Sequence, residues 1–227
     1  LTPSLVCAAL AEWPDEEGLG WPSWAFENHD APRAVSRWCA PEHRDAFARM
    51  KLLLLACLRG NIILYQGEEL GLTQVDIPFE QLQDPEAIAN WPLPLSRDGA
   101  RTPMPWESEG EGGFGAATPW LPLGEENLAR SVAVQDADPA SLLALTREII
   151  ALRNTSSALR YGSAACQADG ALLRLERLSQ GERVVCLFNL SPDPISDIKI
   201  PQGETLCSIN SVMPDSLGPY GAMVVRV

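Results

Sequence analysis

The residues of this chain with the clearest chemical potential follow a short apolar run. Trp24-Ala25-Phe26 leads through Glu27 into the polar segment Asn28-His29-Asp30. A barrel strand whose last residues face a binding site has this pattern. All three polar side chains can hydrogen-bond hydroxyl groups, and the Asp30 carboxylate could also stabilise positive charge on a ligand. The same three residues could instead turn the chain and cap the next segment.

Two further segments combine apolar residues, glycine and charge. They are residues 62–71, IILYQGEELG, and residues 97–106, RDGARTPMPW. Together with Asn28-His29-Asp30, and in this order, they resemble glycoside hydrolase family 13, specifically its α-glucosidase and oligo-1,6-glucosidase members. The resemblance is close over residues 1–155 and holds only in pattern beyond them.

The resemblance assigns a role to each polar residue. It implies that Asp30 stabilises the transition state by binding the 2- and 3-hydroxyls of a glucosyl ring, bonds that strengthen as the ring becomes oxocarbenium-like. Asn28 and His29 would bind substrate hydroxyls beside it, although His29 could instead fix the loop backbone. Arg97 would reach the same glucosyl site and hold Asp30 ionised. The alternative for Arg97 is a structural ion pair.

Retaining glycosidases also need a nucleophilic carboxylate and an acid/base carboxyl. In the family that this chain resembles, both lie on barrel strands upstream of the Asn-His-Asp motif. No match precedes Asp30. Strand alternation should turn Glu27 away from Asn28, and Asp15-Glu16-Glu17 reads as a solvated acidic loop. We therefore expect both groups to lie outside this chain, which alone should be inactive.

Other charged residues are expected to be structural. Arg101 should pair with Asp98 and shape a turn. Arg33 and Arg37, four residues apart, should form salt bridges beneath the site. Glu68-Glu69 could be mistaken for an acid/base pair, but at least one of the two should bond to backbone donors or to an arginine.

The elements that position these residues are predicted from periodicity. A helix over 42–59 lies between strands at 24–26 and 61–66, which predicts a parallel β-α-β unit. A short helix precedes it at 3–12. Residues 67–137 lack sustained periodicity and are predicted to be a long active-site loop. An amphipathic helix follows over 138–154.

From residue 156 the pattern changes to short alternating runs. A hairpin is predicted at 172–177 and 183–189, with further strands at 195–200, 205–208 and 222–227. The predicted fold is therefore α/β and then all-β. Residues 1–155 would be the C-terminal portion of a (β/α)8 TIM barrel, and residues 156–227 a small antiparallel β-sandwich domain.

Composition excludes several classes of partner. The net charge of −13 opposes binding to nucleic acid or to an anionic membrane, whereas a neutral oligosaccharide is not repelled. We expect a small oligosaccharide substrate and the missing N-terminal half of the barrel as partners. The N-terminus looks cut and carries no signal-like segment, and a cytoplasmic location is favoured over a periplasmic one.

No cofactor is expected in this chain. Its two histidines are too few for a His-rich zinc site, although a calcium or magnesium site could exist in the missing N-terminal part. The six cysteines show no Cys-x-x-Cys spacing. We expect all six to be reduced, with Cys57 and Cys186 in the core.

The implied function is that of an exo-acting, retaining α-glucosidase on short α-linked gluco-oligosaccharides. One alternative is a trehalose synthase or a sucrose-acting relative, which would have similar motifs. Another is a non-catalytic family member that acts as a scaffold or partner subunit. The joint presence of Asn28, His29, Asp30 and Arg97 argues against a scaffold, which needs no polar sugar site.

Overall fold

The computed structural model describes residues 1–14, 20–115 and 118–227. The acidic loop predicted at Asp15-Glu16-Glu17 and residues 116–117 of the predicted long loop lie outside the described residues. The chain divides into two compact units. The first comprises residues 1–24, 45–63 and 146–227, and the second comprises residues 25–44 and 64–145.

Helices and strands alternate in the first part of the chain, and a run of helices is then followed by a run of strands. The described α-helices are α1 (Pro3–Ala11), α2 (Ala34–Arg37), α3 (Arg44–Cys57), α4 (Pro85–Ala89), α5 (Glu125–Leu128), α6 (Val132–Asp136), α7 (Leu142–Thr155) and α8 (Ser157–Tyr161). The described strands are β1 (Ser23–Trp24), β2 (Asn61–Ile62), β3 (Ser163–Asp169), β4 (Leu172–Ser179), β5 (Glu182–Asn189), β6 (Glu204–Ile209), β7 (Val212–Met213), β8 (Ser216–Leu217) and β9 (Ala222–Arg226). Among the described residues, no helix combines the length and apolarity needed to cross a membrane.

Strands β1 and β2 pair in parallel, which confirms the predicted β-α-β unit. Both strands are shorter than predicted. The ladder gains one more bond, from the Ile63 amide to the Trp24 carbonyl at 2.9 Å. The ladder does not continue to Tyr65, because the Tyr65 amide donates to the Glu68 carboxylate at 3.2 Å.

Helix α3 is the most buried helix of the first unit. Its leucine-rich sequence favours a helix, and residues 50–57 are all buried. The last carbonyls of a helix have no partner within it. Here Arg153 donates from Nη1 to the carbonyls of Ala56 and Leu58, and Arg177 donates from Nη1 to the Cys57 carbonyl at 2.7 Å. Two guanidinium groups therefore satisfy this end and complement its negative dipole.

Helix α1 begins after Thr2, whose side chain accepts the Leu5 amide, and it packs against β3 and β4. A disulfide joins Cys7 of α1 to Cys166 of β3, with their Cα atoms 5.3 Å apart. The prediction that all six cysteines are reduced is therefore wrong for this pair. The two residues are 159 positions apart, and tertiary packing brings them together without any spacing motif. Cys57 and Cys186 are free and buried, as predicted.

The C-terminal sheet has the strand order β3-β4-β5-β9-β6 and is antiparallel throughout. The predicted hairpin is confirmed as β4 and β5. Gly181 stands in its turn with a φ of 79°, a conformation that glycine adopts without strain. Strand β3 was not predicted, because its small and polar residues carry little apolar alternation.

A second layer covers one face of this sheet. Leu217 of β8 packs with Val185, Leu187, Met223 and Val225 of the sheet, which gives the small antiparallel two-layered structure expected from the sequence. The strand predicted at 195–200 is wrong. Only Ile195 forms a β-bridge, to Leu217, and the isoleucines of this segment pack on the core from a chain bounded by prolines. The isoleucines alternate with polar residues because one side of this segment is buried, although the segment does not form a hydrogen-bonded strand ladder.

The second unit contains the predicted long loop. It folds through short helices and 3-10 turns rather than extended regular structure, and Leu70, Leu72 and Leu143 form a buried cluster in it. Helix α7 is confirmed but begins at Leu142, four residues later than predicted. Ser141 caps it by accepting the Ala144 amide at 3.1 Å. Asp138 instead accepts the Ala140 amide in the preceding turn.

Candidate functional site

The polar segment after β1 forms a tight turn. The Asn28 side-chain oxygen accepts the Asp30 amide at 2.8 Å, which is an Asx turn. The side chains of His29 and Asp30 remain 67% and 55% exposed. The turn expected as the alternative is therefore present, and it leaves the Asp30 carboxylate accessible.

Two arginines stand beside this carboxylate. Arg101 donates from Nη2 to Oδ1 of Asp30 at 2.8 Å, and Nη1 of Arg97 lies 3.7 Å from the same oxygen. His29 lies on the other side, with Nε2 3.3 Å from Oδ2. The two guanidinium groups therefore share one oxygen of Asp30, while the second oxygen faces an exposed imidazole.

The predicted pairing of the Arg101 side chain with Asp98 is wrong. Arg101 donates from Nε to the His29 carbonyl at 2.7 Å, in addition to its bond with Asp30. The Asp98 side chain is buried and accepts the amides of Gln83 and Asp84 at 2.7 and 2.9 Å. Asp98 thus binds backbone donors, and Arg101 is part of the candidate site, a position that the sequence pattern did not predict. A usable signal was its spacing from Arg97 across the one-turn 3-10 helix Asp98–Ala100.

Arg97 takes part in a strong pair within the loop. It donates from Nε to Oδ2 of Asp84 at 2.8 Å and from Nη2 to Oδ1 at 2.6 Å. Hydrogen bonds from Arg97 hold the pKa of Asp84 well below its usual range despite burial, and Asp84 in turn raises the pKa of Arg97. The structural ion pair, which was the alternative to a site role for Arg97, is therefore present. Arg97 nevertheless lies next to Asp30.

A buried ion pair supports the segment that leads to the site. Arg33 and Glu27 are 3.2 Å apart with both side chains 1% exposed. Glu27 also accepts the Ala34 amide at 3.1 Å, and Arg33 donates to the Gln66 carbonyl at 2.7 Å. Arg33 therefore has the structural role predicted for it, and it joins the chain around residue 27 to the chain around residue 66.

Gly67 follows Gln66, the residue whose carbonyl Arg33 binds. Its φ of 85° favours glycine, and a Cβ added to it would stand 2.4 Å from a Leu72 methyl carbon. Glu68 is buried and accepts the Tyr65 amide, the structural role predicted for at least one of the two glutamates. Burial raises the pKa of Glu69.

The arrangement can bind a polyhydroxylated ligand and stabilise positive charge on it. An exposed carboxylate and imidazole offer hydrogen bonds to hydroxyl groups, and Arg101 fixes the Asp30 carboxylate and the backbone of His29. In the part of the chain that the structure describes, no cluster of three or more His, Cys, Asp or Glu residues is arranged to hold a metal ion.

Comparison with known proteins identifies the class of protein. Residues 6–162 match the family described as "Alpha amylase, catalytic domain". The chain belongs to this family, the α-amylase family or glycoside hydrolase family 13. The β1-α3-β2 unit is accordingly part of a (β/α)8 barrel, with an antiparallel β-domain after it.

Two curated relatives and one solved structure are similar to this chain. A probable alpha-glucosidase of Rhizobium meliloti (strain 1021) is 45% identical over 196 residues, which are 85% of this chain and 35% of that protein. An oligo-1,6-glucosidase of Parageobacillus thermoglucosidasius is 31% identical over 204 residues, 80% of this chain and 36% of its own. The crystal structure of an alpha-glucosyl transfer enzyme, XgtA, superposes with a TM-score of 0.89 at 38% identity and covers 100% of this chain and 44% of that one. The chain therefore spans about a third of the length of these curated relatives.

Proposed function

We propose that this chain is part of a retaining, exo-acting α-glucosidase that hydrolyses short α-linked gluco-oligosaccharides. The observation that carries the proposal is the exposed Asp30 carboxylate, bonded through one oxygen to Arg101 and flanked by Arg97. The names of two relatives, a probable alpha-glucosidase and an oligo-1,6-glucosidase, support the reaction class.

In this proposal Asp30 accepts hydrogen bonds from two neighbouring hydroxyls of the glucosyl ring. These bonds shorten as positive charge develops at the anomeric carbon, so they stabilise the transition state more than the ground state. His29 and the side-chain amide of Asn28 bind hydroxyls at the rim, and Arg97 donates from Nη1. The nucleophile and the acid/base would come from polypeptide upstream of Asn28-His29-Asp30.

The first test replaces Asp30 by Asn in the complete polypeptide and measures hydrolysis of p-nitrophenyl α-glucoside. We expect kcat/KM to fall by roughly 10²- to 10³-fold, because a neutral amide cannot stabilise the developing charge. The matched control is Glu86→Gln, which neutralises an exposed carboxylate in the same unit and should change kcat/KM by less than about twofold. An Asp30→Asn enzyme as active as the control would reject the proposal.

The second test concerns where the remaining carboxylates lie. This chain expressed alone should hydrolyse p-nitrophenyl α-glucoside no faster than buffer, whereas the reading frame extended upstream should restore turnover. Turnover by the isolated chain would show that its own residues complete the catalytic set.

A second candidate is glucosyl transfer or isomerisation in place of hydrolysis, as in the trehalose- or sucrose-acting enzymes weighed above. It is supported by the alpha-glucosyl transfer enzyme that superposes on the whole chain. Incubation of the complete polypeptide with maltose or sucrose separates the candidates. Free glucose as the main product supports hydrolysis, and isomeric or longer sugars support transfer.

Location and metal dependence stay predictions. A cytoplasmic location was favoured from the sequence, whereas the Cys7–Cys166 disulfide favours an oxidising compartment. Cell fractionation with antibody detection decides between them. A calcium or magnesium site in the N-terminal part of the barrel would make the activity of the complete polypeptide sensitive to a chelator.

A further inference from the structure

In the described part of the chain, the side-chain hydrogen bonds of Arg97 all come from one edge of its guanidinium group. Nε and Nη2 bind the two oxygens of Asp84 at 2.8 and 2.6 Å, and the Arg97 amide donates to the same carboxylate at 3.0 Å. The Asp84 side chain is fully buried, with 0% exposure. The arginine is therefore anchored by a bidentate pair and by its own backbone, the strongest geometry for this type of contact.

Asp84 is itself fixed in place. Its Oδ1 accepts the Glu86 amide at 3.2 Å, so it caps helix α4. Its own amide donates at 2.9 Å to the buried carboxylate of Asp98, the residue that follows Arg97 in the chain. Hydrogen bonds to two buried carboxylates, Asp84 and Asp98, therefore join the two ends of the segment 84–98. The Arg97 side chain can rotate away only if its bonds to Asp84 break.

The other edge of Arg97 faces the site. Within the described part of the chain Nη1 makes no hydrogen bond, and its distance of 3.7 Å from Oδ1 of Asp30 is too long for one. Its two hydrogens are therefore available to a ligand bound beside Asp30. Besides Asp84, two carboxylates lie within 4 Å of this guanidinium: Asp30 at 3.7 Å from Nη1 and the exposed Glu86 at 3.8 Å from Nη2. A direct pair of Arg97 with Asp30 would occupy the Asp30 carboxylate.

We propose that Asp84 is a positioning residue that holds Arg97 away from a direct pair with Asp30, so that both groups stay free to bind the sugar. This inference rests on the proposed function. Asp84 and Asp30 are competing carboxylates for one guanidinium, and the buried one keeps it. The Arg97 Nη1 edge and the Asp30 carboxylate then face the same ligand from adjacent positions.

The test is a double-mutant cycle in the complete polypeptide with Asp84→Asn, Arg97→Ala and the double variant. Asn keeps the size of Asp84 and can still cap α4. We expect Asp84→Asn to lower kcat/KM by roughly 10- to 100-fold, mainly through a higher KM, because the displaced Arg97 occupies Asp30. The double variant should lose no more than Arg97→Ala alone, since Asp84 acts only through Arg97.

The control is again Glu86→Gln, because Glu86 lies 3.8 Å from Nη2 of the same arginine but is exposed. It should change KM by less than about twofold. Losses that multiply in the double variant would mean that Asp84 acts independently of Arg97 and would overturn the inference. An Asp84→Asn enzyme with an unchanged KM would do the same.

A crystal structure of the Asp84→Asn variant gives a readout that needs no activity. We expect Arg97 to turn so that two of its nitrogens lie within hydrogen-bonding distance of Asp30. Arg97 unmoved in that structure would refute the positioning role even if the enzyme is an α-glucosidase. Conversely, loss of the α-glucosidase proposal through the Asp30→Asn test leaves this structural result standing.

Discussion

Arg101 binds Asp30 across 71 residues of sequence, donating from Nη2 to Oδ1 at 2.8 Å. The same side chain donates from Nε to the His29 carbonyl at 2.7 Å. One guanidinium group therefore fixes both the carboxylate and the backbone of the residue before it. Arg101 lies in a segment of the second unit far from this turn in sequence, so the segment 97–106 and the Asn28-His29-Asp30 turn are held as one site.

Replacing Arg101 by Gln should therefore impair the site more than the fold. We expect kcat/KM of the complete polypeptide to fall by roughly 10- to 100-fold, because Asp30 loses its closest cation and the turn its anchor. The control is Arg44→Gln, which removes the exposed pair with Glu126 and should change kcat/KM by less than about twofold. Equal effects of the two substitutions would show that Arg101 has no special role.

The buried pair of Arg33 and Glu27 should matter for stability. Arg33→Met removes one charge and leaves the Glu27 carboxylate buried without its arginine. We expect the free energy of unfolding to fall by about 3–5 kcal/mol, measured by urea unfolding followed by tryptophan fluorescence. Arg183→Gln, which removes an exposed partner of Glu176, should cost less than about 1 kcal/mol. A loss for Arg33→Met as small as this control would contradict the prediction.

Glu182 should make stability depend on pH. Burial alone would raise its pKa, but hydrogen bonds from the Ala158 amide, the hydroxyls of Ser157 and Ser156, and Arg226 outweigh it and lower the pKa. A depressed pKa contributes stability above the unfolded value of about 4.3, and that contribution is lost as pH falls through the folded value.

Glu182→Gln should accordingly lower the melting temperature at pH 7 and have a progressively smaller effect below about pH 4. Differential scanning calorimetry of both proteins across this range measures the difference. A melting-temperature difference that stays constant from pH 7 into the acid range would mean that ionisation of Glu182 does not contribute.

The Cys7–Cys166 disulfide should stabilise the first unit. Its loss in a Cys7→Ser and Cys166→Ser double variant should cost about 2–4 kcal/mol, because the unfolded chain gains conformational freedom. Urea unfolding of the complete polypeptide with and without reductant measures this. Reductant should destabilise the wild type and leave the double variant unchanged. A non-reducing digest without a peptide that joins Cys7 to Cys166 would contradict the bond itself.

Local patterns predicted the fold well where neighbours in sequence decide the structure. The leucine-rich run of α3 and the alternation of β4 and β5 around Gly181 carry their periodicity within a few residues. The parallel pairing of β1 and β2 followed from element order alone. The alternation at 195–200 misled, because burial on one side mimics a strand even when no partner strand is present.

Long-range partners were beyond the reach of these patterns. Cys7 and Cys166 meet only after α1 packs against β3, and the Arg101 side chain reaches Asp30 rather than the nearer Asp98. The residue types of the candidate site could be predicted because a polar turn directly after a strand is a pattern of neighbouring residues. The sugar-binding roles of Asn28, His29, Asp30 and Arg97 stay predictions for the experiments above.

The arginines at the end of α3 have a consequence for protein engineering. Arg177 belongs to β4, so a gene shortened after residue 155 would delete the donor that satisfies the Cys57 carbonyl. The end of this helix would then keep Arg153 but lose the second of the two arginines that bind its last carbonyls. The C-terminal sheet thus contributes to the structural support of a barrel helix, and a shortened form of this protein should retain it.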